Sequence, residues 1–287
     1  MRNIGIYYAY WTSEWSADFV PFVKKVKDLG FTQLEVHGGA VAEMTDDGRK
    51  RLKDEAGAHD IVLSYGIGLT PDRNVSSLDE TVRTNGVRFM TRMIKAVGTM
   101  GGGMIGGTVH SYWPAAPPAN MDEKARVRRQ SLKSMRELVK VAADNDVILN
   151  VEVINRFEQF LLNTCEEAAG YVREVDSPNC RILLDTFHLN IEEDSIGDAI
   201  RLAGKELAAL HLGETNRKPP GLGRMPWAEI KEALDDIAFD GPLVMEPFVL
   251  PGGQVGHDIA VWRDLMPGAD LDAEAARSAE FVRRTLC

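Results

Sequence analysis

The stretch Leu183–Asp194, LLDTFHLNIEED, decides how the rest of the chain is read. A short apolar run, Ile182-Leu183-Leu184, stops at Asp185, and an imidazole follows at His188. Runs of that kind are usual in strands buried on both faces of a parallel sheet. A carboxylate at such an exit, with no Lys or Arg beside it in sequence, needs a partner from elsewhere in the fold.

The same arrangement, a short apolar run followed by a longer amphipathic stretch, recurs from end to end. Strands are predicted at Ile4–Ala9, Thr32–Val36, Ile61–Ile67, Met104–Val109, Val147–Val153, Arg181–Leu184, Ala208–Leu212 and Leu243–Glu246. Helical periodicity lies between them at Ala17–Leu29, Asp46–His59, Leu78–Gly98, Glu123–Asp144, Thr164–Glu174, Ile196–Arg201 and Trp227–Asp236, and Asp272–Leu286 reads as a closing helix. Capping signals agree: SSLDE puts Ser and Asp ahead of one helix, and NTCEE puts Asn or Thr ahead of another with acids in its first turn. Eight strand–helix units in 287 residues predict an α/β fold, a single (β/α)8 TIM barrel over residues 1–287. The competing architecture is an open doubly wound sheet, but no G-x-G-x-x-G turn follows the first strand. The glycines of MGGGMIGGTVH precede and enter the fourth strand rather than opening a helix, so they read as a turn with close backbone approach and not as a phosphate cradle.

Composition bounds the function. With 33 basic against 43 acidic residues the net charge is −10, which disfavours nucleic acid or an anionic membrane as partner and leaves a small neutral substrate open. The 3 cysteines, Cys165, Cys180 and Cys287, form no CxxC pair, so neither a disulfide framework nor a zinc knuckle is expected. The N-terminal MRNIGIYYAYW lacks the pattern of a signal peptide, and no apolar run reaches the roughly 18–20 residues needed to span a bilayer. A cytoplasmic protein is expected.

In a barrel of this kind functional groups gather where strands end, at the C-terminal face. The last four predicted strands bring Glu152, Asp185, His211 and Glu246 to that face, 33, 26 and 35 residues apart, each interval about one strand–helix unit. Taken singly, an acid at a strand end is more often a helix cap or a surface group, and a lone His a satisfied core residue. Four in phase on consecutive strands outweigh that reading. Three carboxylates and an imidazole on one rim would be destabilising without a cation among them. Oxygen-rich ligation with one His suits Mn²⁺, Mg²⁺ or Co²⁺ better than a thiolate-preferring metal. Asp185 is therefore expected to face a bound metal rather than a basic side chain.

At these residues the sequence resembles the ketose 3-epimerase family, the D-tagatose 3-epimerase and D-allulose (D-psicose) 3-epimerase group. The matching motifs run through the chain: GIYYAYWTSEWS, HSYWP, EVINRFEQ, LLDTFHLNIEEDSIGDAI, HLGETNR, GRMPW, VMEPF and VWRD. The resemblance implies a metal-dependent isomerase that inverts C3 of free ketoses: D-fructose/D-allulose, D-tagatose/D-sorbose and L-ribulose. It implies a divalent ion, usually Mn²⁺, on Glu152, Asp185, His211 and Glu246, with Glu152 and Glu246 doubling as acid and base through a cis-enediolate. Glu158, His188 and Arg217 would hold the hydroxyls near C1 and the carbonyl. Family members are homodimers or homotetramers, so a homo-oligomer is expected.

The chemistry suits the placement. Inversion at C3 needs a proton removed beside a carbonyl and one returned to the opposite face. Glu152 and Glu246 stand three strands apart on an eight-strand rim, nearly opposite each other. On its own residues, Arg217 reads as a solvated loop cation, and Arg156 is a potential partner for Glu158. The first loop packs Tyr7, Tyr8, Tyr10, Trp11 and Trp15 together, as barrel-mouth core or as the wall of a sugar site, with Trp113 and Phe248 as further walls. An aldose–ketose isomerase of the same barrel type is the nearest alternative. A metal-dependent nuclease would need more than the chain's 6 histidines and a basic face. A non-catalytic sugar binder would gain nothing from paired glutamates.

Overall fold

Strand β1 (Ile4–Tyr7) pairs in parallel with both its sequence neighbour β2 (Gln33–His37) and the last strand, β8 (Leu243–Met245), so the sheet has no free edge. Between them run β3 (Val62–Ile67), β4 (Gly103–Gly107), β5 (Val147–Glu152), β6 (Cys180–Asp185) and β7 (Leu207–Leu212), closing an eight-stranded barrel in sequence order. The computed structural model describes residues 2–287. The chain is a single (β/α)8 barrel.

The longer helices around the barrel are α1 (Val20–Asp28), α3 (Asp46–Ala58), α4 (Glu80–Thr99), α5 (Met121–Ala143), α6 (Cys165–Val175), α8 (Ile196–Ala203), α9 (Trp227–Asp236) and α11 (Leu271–Leu286), and the short helices α2 (Gly38–Glu43), α7 (Thr186–Glu192) and α10 (Gly253–Asp258) lie in the connections after β2, β6 and β8. The expected caps are used: Asp79 accepts the amides of Thr81 and Val82 at the start of α4, and Thr164 accepts that of Glu167 in α6. Helix α1 begins at Val20 and not at Ala17, with Pro21 in its first turn, where a missing N–H costs nothing. The short helices α2, α7 and α10 were not foreseen; each is under eight residues, too short for a periodicity signal. Among the described residues no helix is long and apolar enough to cross a membrane.

Period-two alternation divides each strand between two cores. On β6, Ile182 and Leu184 face the helices and are fully buried, at about 1.5–3 kcal/mol for each aliphatic side chain withdrawn from water. Leu183 and Asp185 face the barrel axis. Leu183 fills the interior toward β4 because Gly106 presents no side chain: a Cβ there would come within 2.8 Å of Leu183 Cδ2. Asp185, one layer higher, emerges at the rim.

The glycine cluster behaves as a turn with close backbone approach. Gly101, Gly102 and Gly103 have φ of 108°, 80° and 130°, and Gly107, at the end of β4, has φ 113° with the Ile67 carbonyl where a Cβ would stand. Replacing Gly107 with Ala should cost about 1–3 kcal/mol in backbone strain, before any collision with Ile67. Gly57, within α3 and with open space around it, is the control: Gly57→Ala should stabilise by roughly 0.4–1 kcal/mol. Thermal unfolding of both variants measures this, and a Gly107→Ala protein as stable as the parent would refute the constraint.

Candidate metal centre and active-site cavity

Glu152 ends β5, Asp185 ends β6, His211 is the penultimate residue of β7 in register with Asp185, and Glu246 directly follows β8. Parallel strands of matched height deliver all four side chains to one point, and one ligand-type atom from each lies within 4.8 Å of the others. Asp185, His211 and Glu152 are buried, and Glu246 nearly so.

Asp185 does meet a basic side chain, contrary to the expectation from its sequence neighbours. Arg217, in the loop after β7, is buried rather than solvated; its Nη1 donates to Asp185 Oδ2 at 3.0 Å and to Glu246 Oε2 at 3.2 Å. The guanidinium lies between two aromatic rings, its carbon 4.2 Å from the centroid of Phe187 and 5.1 Å from that of Phe248. Asp185 Oδ1 meanwhile accepts the Phe187 amide and caps α7. The carboxylate that caps α7 thus also belongs to the cluster of four.

Burial and charge act differently on the two glutamates. Desolvation, with the neighbouring Glu246 and Asp185 charges, holds Glu152 well above the usual carboxylate range. Burial pushes Glu246 up as well, but the charges of His211, Arg217 and His188 outweigh it and hold Glu246 down at about 2. Burial alone would depress His211; the carboxylates of Glu35 and Glu246 instead raise it well above its ordinary value. His188, also buried, is lowered. Environments that push two adjacent carboxyls apart are typical of acid/base pairs.

The donor set fits a divalent cation. His211 Nδ1 is buried without a hydrogen-bond partner, 3.5 Å from Glu246 Oε1 and 3.9 Å from Glu152 Oε1. Its other nitrogen, Nε2, faces Glu35 Oε1 at 3.1 Å. Glu35 Oε2 accepts the Ser64 hydroxyl at 2.8 Å, and Ser64 in turn accepts Gln33 Nε2 at 2.8 Å. An imidazole with a carboxylate 3.1 Å from one nitrogen, and with the other nitrogen unpartnered among three carboxylates and able to give up its proton to a cation, is the arrangement expected of a metal ligand with its supporting partner.

Glu152, His211 and Glu246 line a cavity of about 560 Å³ together with Glu158, His188, Arg217, Tyr7, Trp113 and Phe248, while Asp185 is fully buried behind them. The aromatic loop divides: Tyr7 and Trp15 reach the cavity, their ring centroids 6.4 Å apart, whereas Tyr8 and Tyr10 are fully buried in the core. Trp113 Nε1 donates to Glu158 Oε2 at 2.9 Å. Arg156 pairs with Glu192 at 2.7 Å and not with Glu158, because it points outward while Glu158 points in. Sequence reasoning did not single out Glu35, Phe187 or Asn155. Glu35 carried the same signal as Glu152, an acid inside an apolar strand (QLEV beside NVEV).

A family model described as a xylose isomerase-like TIM barrel matches residues 23–266. The chain is 46% identical to a D-psicose 3-epimerase of Ruminiclostridium cellulolyticum, over 98% of this chain and 97% of the relative. A crystal structure of D-psicose 3-epimerase with D-tagatose from Clostridium cellulolyticum H10 superposes with a TM-score of 0.96 at 45% identity, covering 99% of each chain. One of D-psicose 3-epimerase in the presence of D-fructose also gives 0.96, at 43% identity and 99% of each chain.

Two binding measurements follow from the site. Titration with Mn²⁺ should raise the unfolding temperature, since a ligand at 100 times its Kd stabilises by about 2.7 kcal/mol. Glu35→Gln should weaken Mn²⁺ binding roughly 10- to 100-fold by calorimetry, the usual cost of losing a partner behind a ligating His. Unchanged affinity would show that Glu35 does not brace His211.

Proposed function

Because the chain belongs to the xylose isomerase-like TIM barrel family and, within it, to the ketose 3-epimerase branch, an isomerase group, we propose that it inverts C3 of a free ketose through a cis-enediolate. The observation that carries this reading is the convergence of Glu152, Asp185, His211 and Glu246 within 4.8 Å, three of them lining a sugar-sized cavity. D-fructose/D-allulose and D-tagatose/D-sorbose are the proposed pairs, with L-ribulose as a further substrate.

Glu152, Asp185, His211 and Glu246 would hold a divalent ion, proposed as Mn²⁺, with Co²⁺ and Mg²⁺ served by the same donors. Such an ion would supply Lewis-acid polarisation of the ketose oxygens. The chain's own groups do the rest. Glu152 and Glu246 reach the centre from β5 and β8, on different sides of the cavity floor, so one can take the C3 proton and the other return one to the opposite face. Arg217, held between Phe187 and Phe248, presents fixed donors where negative charge develops on the sugar oxygens. Glu158 and His188 orient the hydroxyls at the C1 end, and Tyr7, Trp113 and Phe248 cover the apolar C–H surfaces and exclude water.

The test is a ketose panel assayed in D₂O, with EDTA and with metal added back. D-fructose should give D-allulose and D-tagatose should give D-sorbose, each with deuterium at C3, and EDTA should abolish turnover. Aldose products would assign an aldose–ketose isomerase instead, and binding without deuterium uptake would assign a sugar binder. Glu152→Gln and Glu246→Gln should each lower kcat by roughly 10²–10⁴-fold while the ketose still binds. Parent-like epimerisation by either variant would defeat the two-base reading.

A further inference from the structure

Asn155, in the loop after β5, is 1% exposed, and every polar atom of its amide has a partner. Oδ1 accepts the Phe157 backbone N–H at 3.0 Å. That bond fixes which way the amide faces, since a backbone N–H can only donate. Nδ2 is left on the opposite side, where its two hydrogens meet Glu158 Oε1 at 2.8 Å and His188 Nδ1 at 2.7 Å.

The consequence falls on the histidine. An amide nitrogen has no lone pair to offer, so His188 Nδ1 must be the acceptor, and the neutral ring carries its hydrogen on Nε2. Nε2 faces the acid cluster, 4.0 Å from Glu152 Oε1 and 3.9 Å from Asp185 Oδ2. Arg217 Nη2 also approaches Nε2, at 3.4 Å, and would favour the other tautomer. The Asn155 contact, at 2.7 Å, lies within the normal hydrogen-bond range, whereas the arginine contact is at its outer limit, so Asn155 decides. The second oxygen of Glu158 is held by Trp113 Nε1 at 2.9 Å, which ties the carboxylate to the aromatic wall.

We propose that Asn155 is a positioning residue: it locks His188 as the Nε2–H tautomer and aligns Glu158 with it, so that the cavity presents one fixed donor to a substrate oxygen beside the Glu152–Glu246 pair. The role assigned to that donor rests on the ketose reading above; the tautomer itself does not. The donor needs no reorganisation when charge builds on the oxygen it faces, which is where fixed hydrogen bonds contribute most to rate.

Nitrogen-15 NMR of the histidine side chains in the Mg²⁺-loaded protein reads the tautomer directly, with His188 assigned by the loss of its signals in His188→Asn. The parent should show a protonated Nε2 and a bare Nδ1. Asn155→Asp replaces the donor with an acceptor and should move the proton to Nδ1; Asn155→Ala should give a mixture of tautomers. Both should lower kcat/KM for the ketose on the order of 100-fold, the usual cost of one fixed donor, with Mg²⁺ affinity unchanged. A parent ring protonated at Nδ1, or an Asn155→Asp spectrum identical to the parent's, would overturn the proposal. Failure of the ketose reading is distinguishable: it would appear as absent turnover in a parent whose tautomer is as described.

Discussion

Like charges driven together by a rigid frame are the constraint on which this molecule turns. Two carboxylates within 4.8 Å of each other repel by about 3–4 kcal/mol at an effective dielectric near 20, and three of them share this site. The backbone cannot part to relieve the repulsion, because each side chain leaves the end of a strand paired on both sides in a closed parallel barrel. The relief comes from the proton that the raised Glu152 carboxyl tends to keep and from cations placed among them. Arg217 supplies one, arriving from the loop after β7, and the free Nδ1 of His211 marks where a divalent ion would supply another.

Around that centre the supporting residues act in pairs of opposite character. Glu35, Ser64 and Gln33 form a buried polar chain behind His211, and Phe187 and Phe248 form an apolar clamp about Arg217. Hydrogen bonds from Gln33 to Ser64 and from Ser64 to Glu35 hold the carboxylate, which meets His211 Nε2 as an ion pair. The clamp excludes water from a charge that must stay directed at its carboxylates. One wall of the cavity is aromatic, with Tyr7, Trp15 and Phe248 packed together at centroid separations of 6.0–6.4 Å, so apolar surface stands beside the polar cluster.

Much of this was legible in the sequence because the barrel repeats one local signal. Short apolar runs and capped amphipathic helices located every strand and the longer helices to within a residue or two, apart from the start of α1, and in-phase acids located the rim. What stayed hidden depended on reach rather than pattern. Arg217 reads as a loop cation until the fold shows that its loop turns back over Asp185, 32 residues earlier in the chain. Glu35 sits in a strand that was read for its apolar residues, and its role emerges only when β2 is placed across the barrel from β7. Asn155 is one polar residue in a loop full of them; only its three simultaneous hydrogen bonds distinguish it. Helix α7 stayed hidden because its 7 residues are too few to show a helical period.

The central claim is that strands β5 to β8 aim their terminal groups at one divalent ion. Anomalous diffraction from crystals grown with Mn²⁺ tests it most directly. A single strong peak should appear bounded by carboxylate oxygens of Glu152, Asp185 and Glu246 and by Nδ1 of His211, with Glu35 still on Nε2. A peak elsewhere, or those four groups turned apart around no density, would contradict it.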